Sequence, residues 1–196
     1  MLERLGPYAA NLLTAARVFL TPVFVLLTTT AQHDIGRGIL AVLVFAFIAA
    51  SDVVDGRLAR RFGTASRAGL IFDHLSDIGF ILIALSTYVT LGILPWWVPA
   101  AVVITFGTYA VNAWLLPTGK PPNAVARRIG HAGGVCNYVL IGILVCNNTA
   151  GIQLLSAAAL RWFFLLVPVY SGLAVVLGIV SRWDRSGHRV LTPRTD

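Results

Sequence analysis

The sequence predicts an all-α integral membrane protein with six transmembrane helices and a short N-terminal interfacial segment. Composition is the first reason. Of the 196 residues, 57% are hydrophobic and 12% are charged, whereas a soluble domain carries about 25% charged residues. The second reason is a set of apolar runs: residues 41–50, 78–91 and 163–180 contain no charged side chain, and no segment alternates apolar and polar residues as a β-barrel strand does. The third is the asymmetry of the cations. With the amino terminus in the cytoplasm, thirteen of the fifteen Lys and Arg residues fall on the cytoplasmic side, leaving only Arg37 and Arg161 on the other. That is a strong positive-inside bias. It explains the net charge of +7 as topology and as a rim for anionic lipid headgroups, with no nucleic-acid partner required.

One domain, 1–196, is expected at this length. The spans are placed near residues 11–30, 38–57, 68–92, 97–116, 130–146 and 154–181. Each is close to the roughly 20 residues that cross about 30 Å of hydrocarbon. Residues 1–10 are too polar for a signal peptide, and no small-residue cleavage site follows them. The first span carries Asn11, Thr14 and Arg17 at three-residue steps, hence on one face. A lone arginine in an apolar span requires a phosphate or carboxylate partner, or must snorkel to the interface. Residues 32–36, 92–95 and 117–122 hold the Gly, Pro and polar residues of loops. Trp96, Trp97, Trp114, Trp162 and Trp183 lie near span ends, as interfacial anchors do. Cys136 and Cys146 are ten residues apart on the fifth span, about 15 Å along its axis, too far for a disulfide.

The second and third spans carry the chemistry. Four of the eight acidic residues, Asp52, Asp55, Asp73 and Asp77, fall within 26 residues. Each costs roughly 2.5–3.5 kcal/mol in a bilayer. Asp52 and Asp55 are three apart and Asp73 and Asp77 four apart, so each pair shares a helix face. Antiparallel packing of the two spans is expected to bring the faces together. Oxygen-only ligands favour Mg²⁺ or Mn²⁺ over zinc. Two such ions would balance four carboxylates and could clamp the attacking and leaving oxygens of a phosphoryl displacement. Gly56 and Gly69 allow close approach, Ala59 keeps the same face open, and Arg60 can turn toward phosphate oxygens. A cation transporter using the acids as a pathway is the rival of a different class.

The full pattern Asp52-x2-Asp55-Gly56-x2-Ala59-Arg60-x8-Gly69-x3-Asp73-x3-Asp77 resembles the signature of the CDP-alcohol phosphatidyltransferase family. The resemblance implies a six-span membrane enzyme, usually a homodimer. Such an enzyme moves a phosphatidyl group from CDP-diacylglycerol to an alcohol and releases CMP. It implies that Asp52, Asp55, Asp73 and Asp77 hold two Mg²⁺ or Mn²⁺ ions, with Asp77 also the general base. It further implies that Gly56, Ala59, Arg60 and Gly69 line the CDP-lipid site. Direct attack by the acceptor hydroxyl is preferred. Ser51, Ser66 and Ser76 have no identified activating base, and Ser76 is expected to point elsewhere on the third span.

The first span, Asn11-x2-Thr14-x2-Arg17-x4-Pro22, resembles the phosphatidylglycerophosphate synthase and cardiolipin synthase branch. That branch commonly has proline after the third aspartate and lysine after the fourth, where this chain has His74 and Ile78. Its Gly-Lys-x-Lys-Thr-x2-Gln stretch is half present, as Gly119-Lys120. Arg17, Lys120, Arg127 and Arg128 are the candidates to hold a phosphorylated acceptor. Glycerol 3-phosphate ranks first, ahead of inositol phosphate, phosphatidylglycerol and serine. A multi-pass protein of the cell membrane is expected, with the active site and both termini facing the cytoplasm.

Overall fold

The computed structural model describes residues 2–31, 34–62, 67–114 and 124–187. Six helices follow one another: α1 Leu2–Thr30, α2 Ile35–Phe62, α3 Arg67–Thr90, α4 Trp97–Trp114, α5 Ala124–Leu144 and α6 Ala157–Gly187. A π-helical turn, Val145–Thr149, extends α5. Among the described residues there is no strand, and the all-α membrane class follows. Five stretches are long and apolar enough to cross a bilayer: Leu12–Thr30, Ile35–Asp52, Ile71–Thr90, Ala132–Thr149 and Ala157–Leu177. In α4 the corresponding stretch among the described residues is the shorter Trp97–Thr108. The short N-terminal interfacial segment is helical and continuous with the first span. At 29 residues, α1 is about 43 Å long and exceeds the hydrocarbon thickness.

Local chemistry sets the ends of these helices. Asp34 caps α2, where its Oδ1 accepts from the backbone N–H groups of Gly36 at 2.9 Å and Arg37 at 3.2 Å. At the end of α3, Gly92 adopts φ +71°. Its N–H donates to the Val89 carbonyl and the Ile93 N–H to that of Tyr88, closing a Schellman motif ahead of Pro95. Ser156 caps α6 by accepting from the Ala159 N–H at 3.3 Å. Asn147 ties down the preceding loop: its Oδ1 accepts from the Leu154 N–H at 2.6 Å, and its Nδ2 donates to the Leu155 carbonyl at 2.6 Å. Trp96 and Trp162 are strongly exposed at this same end of the bundle, where indole anchors belong.

Helix α1 is the centre of the packing. It runs closely against both α2 and α3, which have little close backbone packing with each other among the described residues. The expected packing of the second span on the third is corrected for their backbones: among the described residues each packs closely on the first span and little on the other. Side chains still meet across it. Phe24 of α1, Phe45 of α2, Phe80 of α3 and Tyr138 of α5 form one aromatic cluster, with ring centroids 5.5 Å apart for Phe24–Phe80 and 5.8 Å for Phe80–Tyr138. Helix α6 packs on α4 and α5 and completes the bundle.

Among the described glycines, Gly38 makes the closest approach to another element. A Cβ there would lie 2.4 Å from the Thr149 carbonyl oxygen and 2.8 Å from the Ala150 Cα. Both are backbone atoms and neither can swing aside. Gly107, in α4, has nothing within 4 Å of its Cβ direction. Gly38→Ala is therefore expected to destabilise the protein by about 1–3 kcal/mol through overpacking. Gly107→Ala should be neutral or stabilising by up to about 1 kcal/mol through helix propensity. Thermal unfolding of both variants in detergent checks this, and equal midpoints would contradict the close contact at Gly38.

Candidate active site

The site lies toward the C-terminal part of α2 and the N-terminal part of α3, and Arg17 of α1 reaches it between them. Asp52 stands at the polar end of the apolar stretch of α2. Asp73 and Asp77, one turn apart, project from the start of α3. One carboxylate oxygen from each of Asp52, Asp73 and Asp77 lies within 4.8 Å of the other two. Carboxylates that close repel one another by roughly 3 kcal/mol per pair at an effective dielectric constant of about 20. A positive group must offset this.

Arg17 supplies part of the offset. Its side chain is fully buried. Nη1 donates to Asp77 Oδ1 in the closest contact of the cluster and also lies 3.5 Å from Asp73 Oδ1. Nη2 lies 3.5 Å from Asp52 Oδ1. One planar guanidinium thus spans carboxylates from two helices, which a lysine ammonium could not match in geometry. Thr14, one turn earlier on α1, points its Oγ1 at Asp73 Oδ1 from 3.5 Å. The common face expected for Thr14 and Arg17 therefore meets the aspartates. For Arg17, the two anionic partners anticipated for a buried arginine resolve to carboxylates here.

Two further side chains complete the arrangement. Ser76 was expected to point elsewhere on α3, but its Oγ accepts from Arg17 Nη1 at 3.2 Å and donates to the Asp73 carbonyl at 2.8 Å. The back-bond to residue i−3 turns the hydroxyl toward α1. Tyr138 of α5 escaped sequence reasoning. Its hydroxyl donates to Asp77 Oδ1 at 3.2 Å, while its ring stacks on Phe80. Only its spacing of one helix turn after the glycine pair Gly133–Gly134 set it apart, and nothing in that spacing points to an aspartate 61 residues away.

The donor set suits a hard dication. All three described candidate donors are carboxylates, and with Arg17 the group carries a net charge of −2. Asp55, one turn after Asp52 on α2, adds another acid to the same stretch of helix. The side chains of Asp55, Gly56, Ala59, Arg60, Arg127 and Arg128 lie outside the described residues, although their backbones belong to α2 and α5. Lys120 lies outside them entirely. Gly69 sits on α3, one turn before Asp73.

The chain resembles proteins of known class. Over 158 residues it is 32% identical to the CDP-diacylglycerol–glycerol-3-phosphate 3-phosphatidyltransferase of Escherichia coli (strain K12), an alignment covering 76% of this chain and 85% of that protein. Over 98 residues it is 39% identical to a probable phosphatidylglycerophosphate synthase of Mycobacterium tuberculosis (strain ATCC 25618 / H37Rv), covering 48% of this chain and 46% of that protein. The chain thus spans about half the length of the mycobacterial relatives it matches. The sequence profile of the CDP-alcohol phosphatidyltransferases matches residues 8–180, and the chain belongs to that family.

Proposed function

We propose that this protein transfers a phosphatidyl group from CDP-diacylglycerol to a phosphorylated alcohol, with glycerol 3-phosphate as the favoured acceptor. The observation that carries the reading is the convergence of the carboxylates of Asp52, Asp73 and Asp77, three residues of the family signature, within 4.8 Å of one another. The names of the Escherichia coli and Mycobacterium tuberculosis relatives support the acceptor. Inositol phosphate, phosphatidylglycerol and serine are the alternative acceptors for the same chemistry. Cation transport by these acids is set aside on the family match.

Asp52, Asp55, Asp73 and Asp77 are the proposed ligands of two Mg²⁺ or Mn²⁺ ions. When bound, such ions supply Lewis-acid polarisation and charge neutralisation at phosphoryl oxygens. Asp77 takes the proton of the acceptor hydroxyl. The hydroxyl oxygen bonds to the lipid-bearing phosphorus as the bond from that phosphorus to the CMP oxygen breaks, and CMP leaves as an anion. Tyr138 holds Asp77 Oδ1 and so orients the carboxylate toward the incoming hydroxyl. Gly56, Ala59, Arg60 and Gly69 line the CDP-lipid site. Arg17, Lys120, Arg127 and Arg128 provide cations for the acceptor phosphate. Six crossings, with α4 as the sixth, put the site and both termini at the cytoplasmic face of the cell membrane, within a homodimer.

Asp77→Asn should lower CMP release from CDP-diacylglycerol by about 10²–10⁴-fold, the range of a lost general base. Turnover equal to the unsubstituted protein would remove Asp77 from the mechanism. Tyr138→Phe keeps the stacked ring and loses only the hydroxyl. It should fold normally and turn over roughly 10–150-fold more slowly, in line with about 1.5–3 kcal/mol for a hydrogen bond to a charged group. Purified protein given CDP-diacylglycerol and each acceptor in turn should release CMP fastest with glycerol 3-phosphate, and only with Mg²⁺ or Mn²⁺ present. Faster release with another alcohol would reassign the acceptor, and undiminished release in excess chelator would exclude the dications.

A further inference from the structure

The Arg17 guanidinium contacts the same three carboxylates that could hold a dication. Its Nη1 bonds Asp77 Oδ1 and lies 3.5 Å from Asp73 Oδ1, and its Nη2 lies 3.5 Å from Asp52 Oδ1. Those three carboxylates are also the cluster whose oxygens gather within 4.8 Å. Mg²⁺ takes oxygen ligands at about 2.1 Å in near-octahedral geometry. An ion held by these carboxylates draws on the same acceptor groups that Nη1 and Nη2 engage, and it brings two positive charges against the one already there.

We propose that Arg17 is a positioning residue that holds the carboxylates of Asp52, Asp73 and Asp77 in convergence and competes with a divalent cation for their oxygens. This rests on the dication reading above. Three features of the structure support it. The guanidinium has no solvent exposure, so water cannot take over its charge and it needs an anionic partner in every state. It reaches α2 and α3 at once, although their backbones pack little against each other among the described residues, so it links the two halves of the ligand set. Ser76, which accepts from the same Nη1 at 3.2 Å, gives it a neutral partner on α3. A guanidinium displaced from the carboxylates finds its next anion in a substrate phosphate, which it can hold with paired N–H donors. Binding of the ion and of a phosphate should then favour each other through Arg17.

The test measures Mn²⁺ affinity by electron paramagnetic resonance on purified protein in lipid nanodiscs, with thermal unfolding alongside. Arg17→Gln removes the competing charge. Its Mn²⁺ dissociation constant should fall by tenfold or more, its unfolding midpoint without added metal should drop, and Mn²⁺ should raise that midpoint further than in the unsubstituted protein. Arg17→Lys is the second variant in case the first does not fold. It keeps one charge but cannot span Asp52 and Asp77 together, and it should bind Mn²⁺ more tightly than arginine by a smaller factor. A lower midpoint with Mn²⁺ affinity unchanged or weakened, in whichever variant folds, overturns the competition and leaves Arg17 a structural ion-pair partner. If the unsubstituted protein and both variants all fail to bind Mn²⁺, the dication reading itself falls.

Discussion

A buried guanidinium among carboxylates is the constraint on which this protein's arrangement depends. Arg17 lies in a helix with a long apolar stretch, and isolation there would be prohibitive. Asp52, Asp73 and Asp77 would in turn repel one another at the distances they keep. Each group is tolerable only because the others are present, so the helices that carry them are bound to one geometry. Removing one partner of such a set leaves an uncompensated charge, which typically costs 3–5 kcal/mol. The packing of the helices meets this requirement. Helix α1 packs on both α2 and α3, and its Arg17 touches acids from both.

The apolar core serves the same geometry. Phe80 is one turn beyond Asp77 on α3, and its ring packs against Phe24, Phe45 and Tyr138. This aromatic layer forms a floor beneath the carboxylates and fixes the ring of Tyr138, whose hydroxyl reaches Asp77. A rigid apolar layer below and a buried cation beside them hold the acids in place before any substrate arrives. At the opposite end, Tyr88 and Thr149 share a buried hydrogen bond of 3.0 Å, and Gly38 lets α2 approach the π-helical turn. These contacts anchor the far ends of the helices whose near ends carry the site.

Much of this was legible in the sequence, for physical reasons. The spans follow from apolar run length, which is a local property. The pairing of Asp52 with Asp55 and of Asp73 with Asp77 follows from helical periodicity, also local. That Arg17 would need an anion followed from the cost of burying it. Which anion it finds was not legible, because Asp77 is sixty residues away and several packings could satisfy the arginine. Direct packing of the second and third spans was the simpler arrangement for consecutive helices with a short connection. Instead both spans pack on the first, where their acids meet Arg17. Ser76 was misplaced because a hydroxyl three residues after an aspartate was judged by catalytic competence, whereas its orientation is set by a back-bond to the Asp73 carbonyl. Tyr138 left no signal, since an aromatic residue in an apolar helix is ordinarily core, and this one is both core and site.

Diffraction from crystals of the protein grown with Mn²⁺ and inorganic phosphate, with data collected at the manganese absorption edge, addresses the carboxylate cluster most directly. An anomalous peak bounded by the carboxylates of Asp52, Asp73 and Asp77, with the Arg17 guanidinium drawn back from them, is the predicted result. Manganese bound elsewhere, or those three carboxylates turned apart with no ion between them, would contradict it.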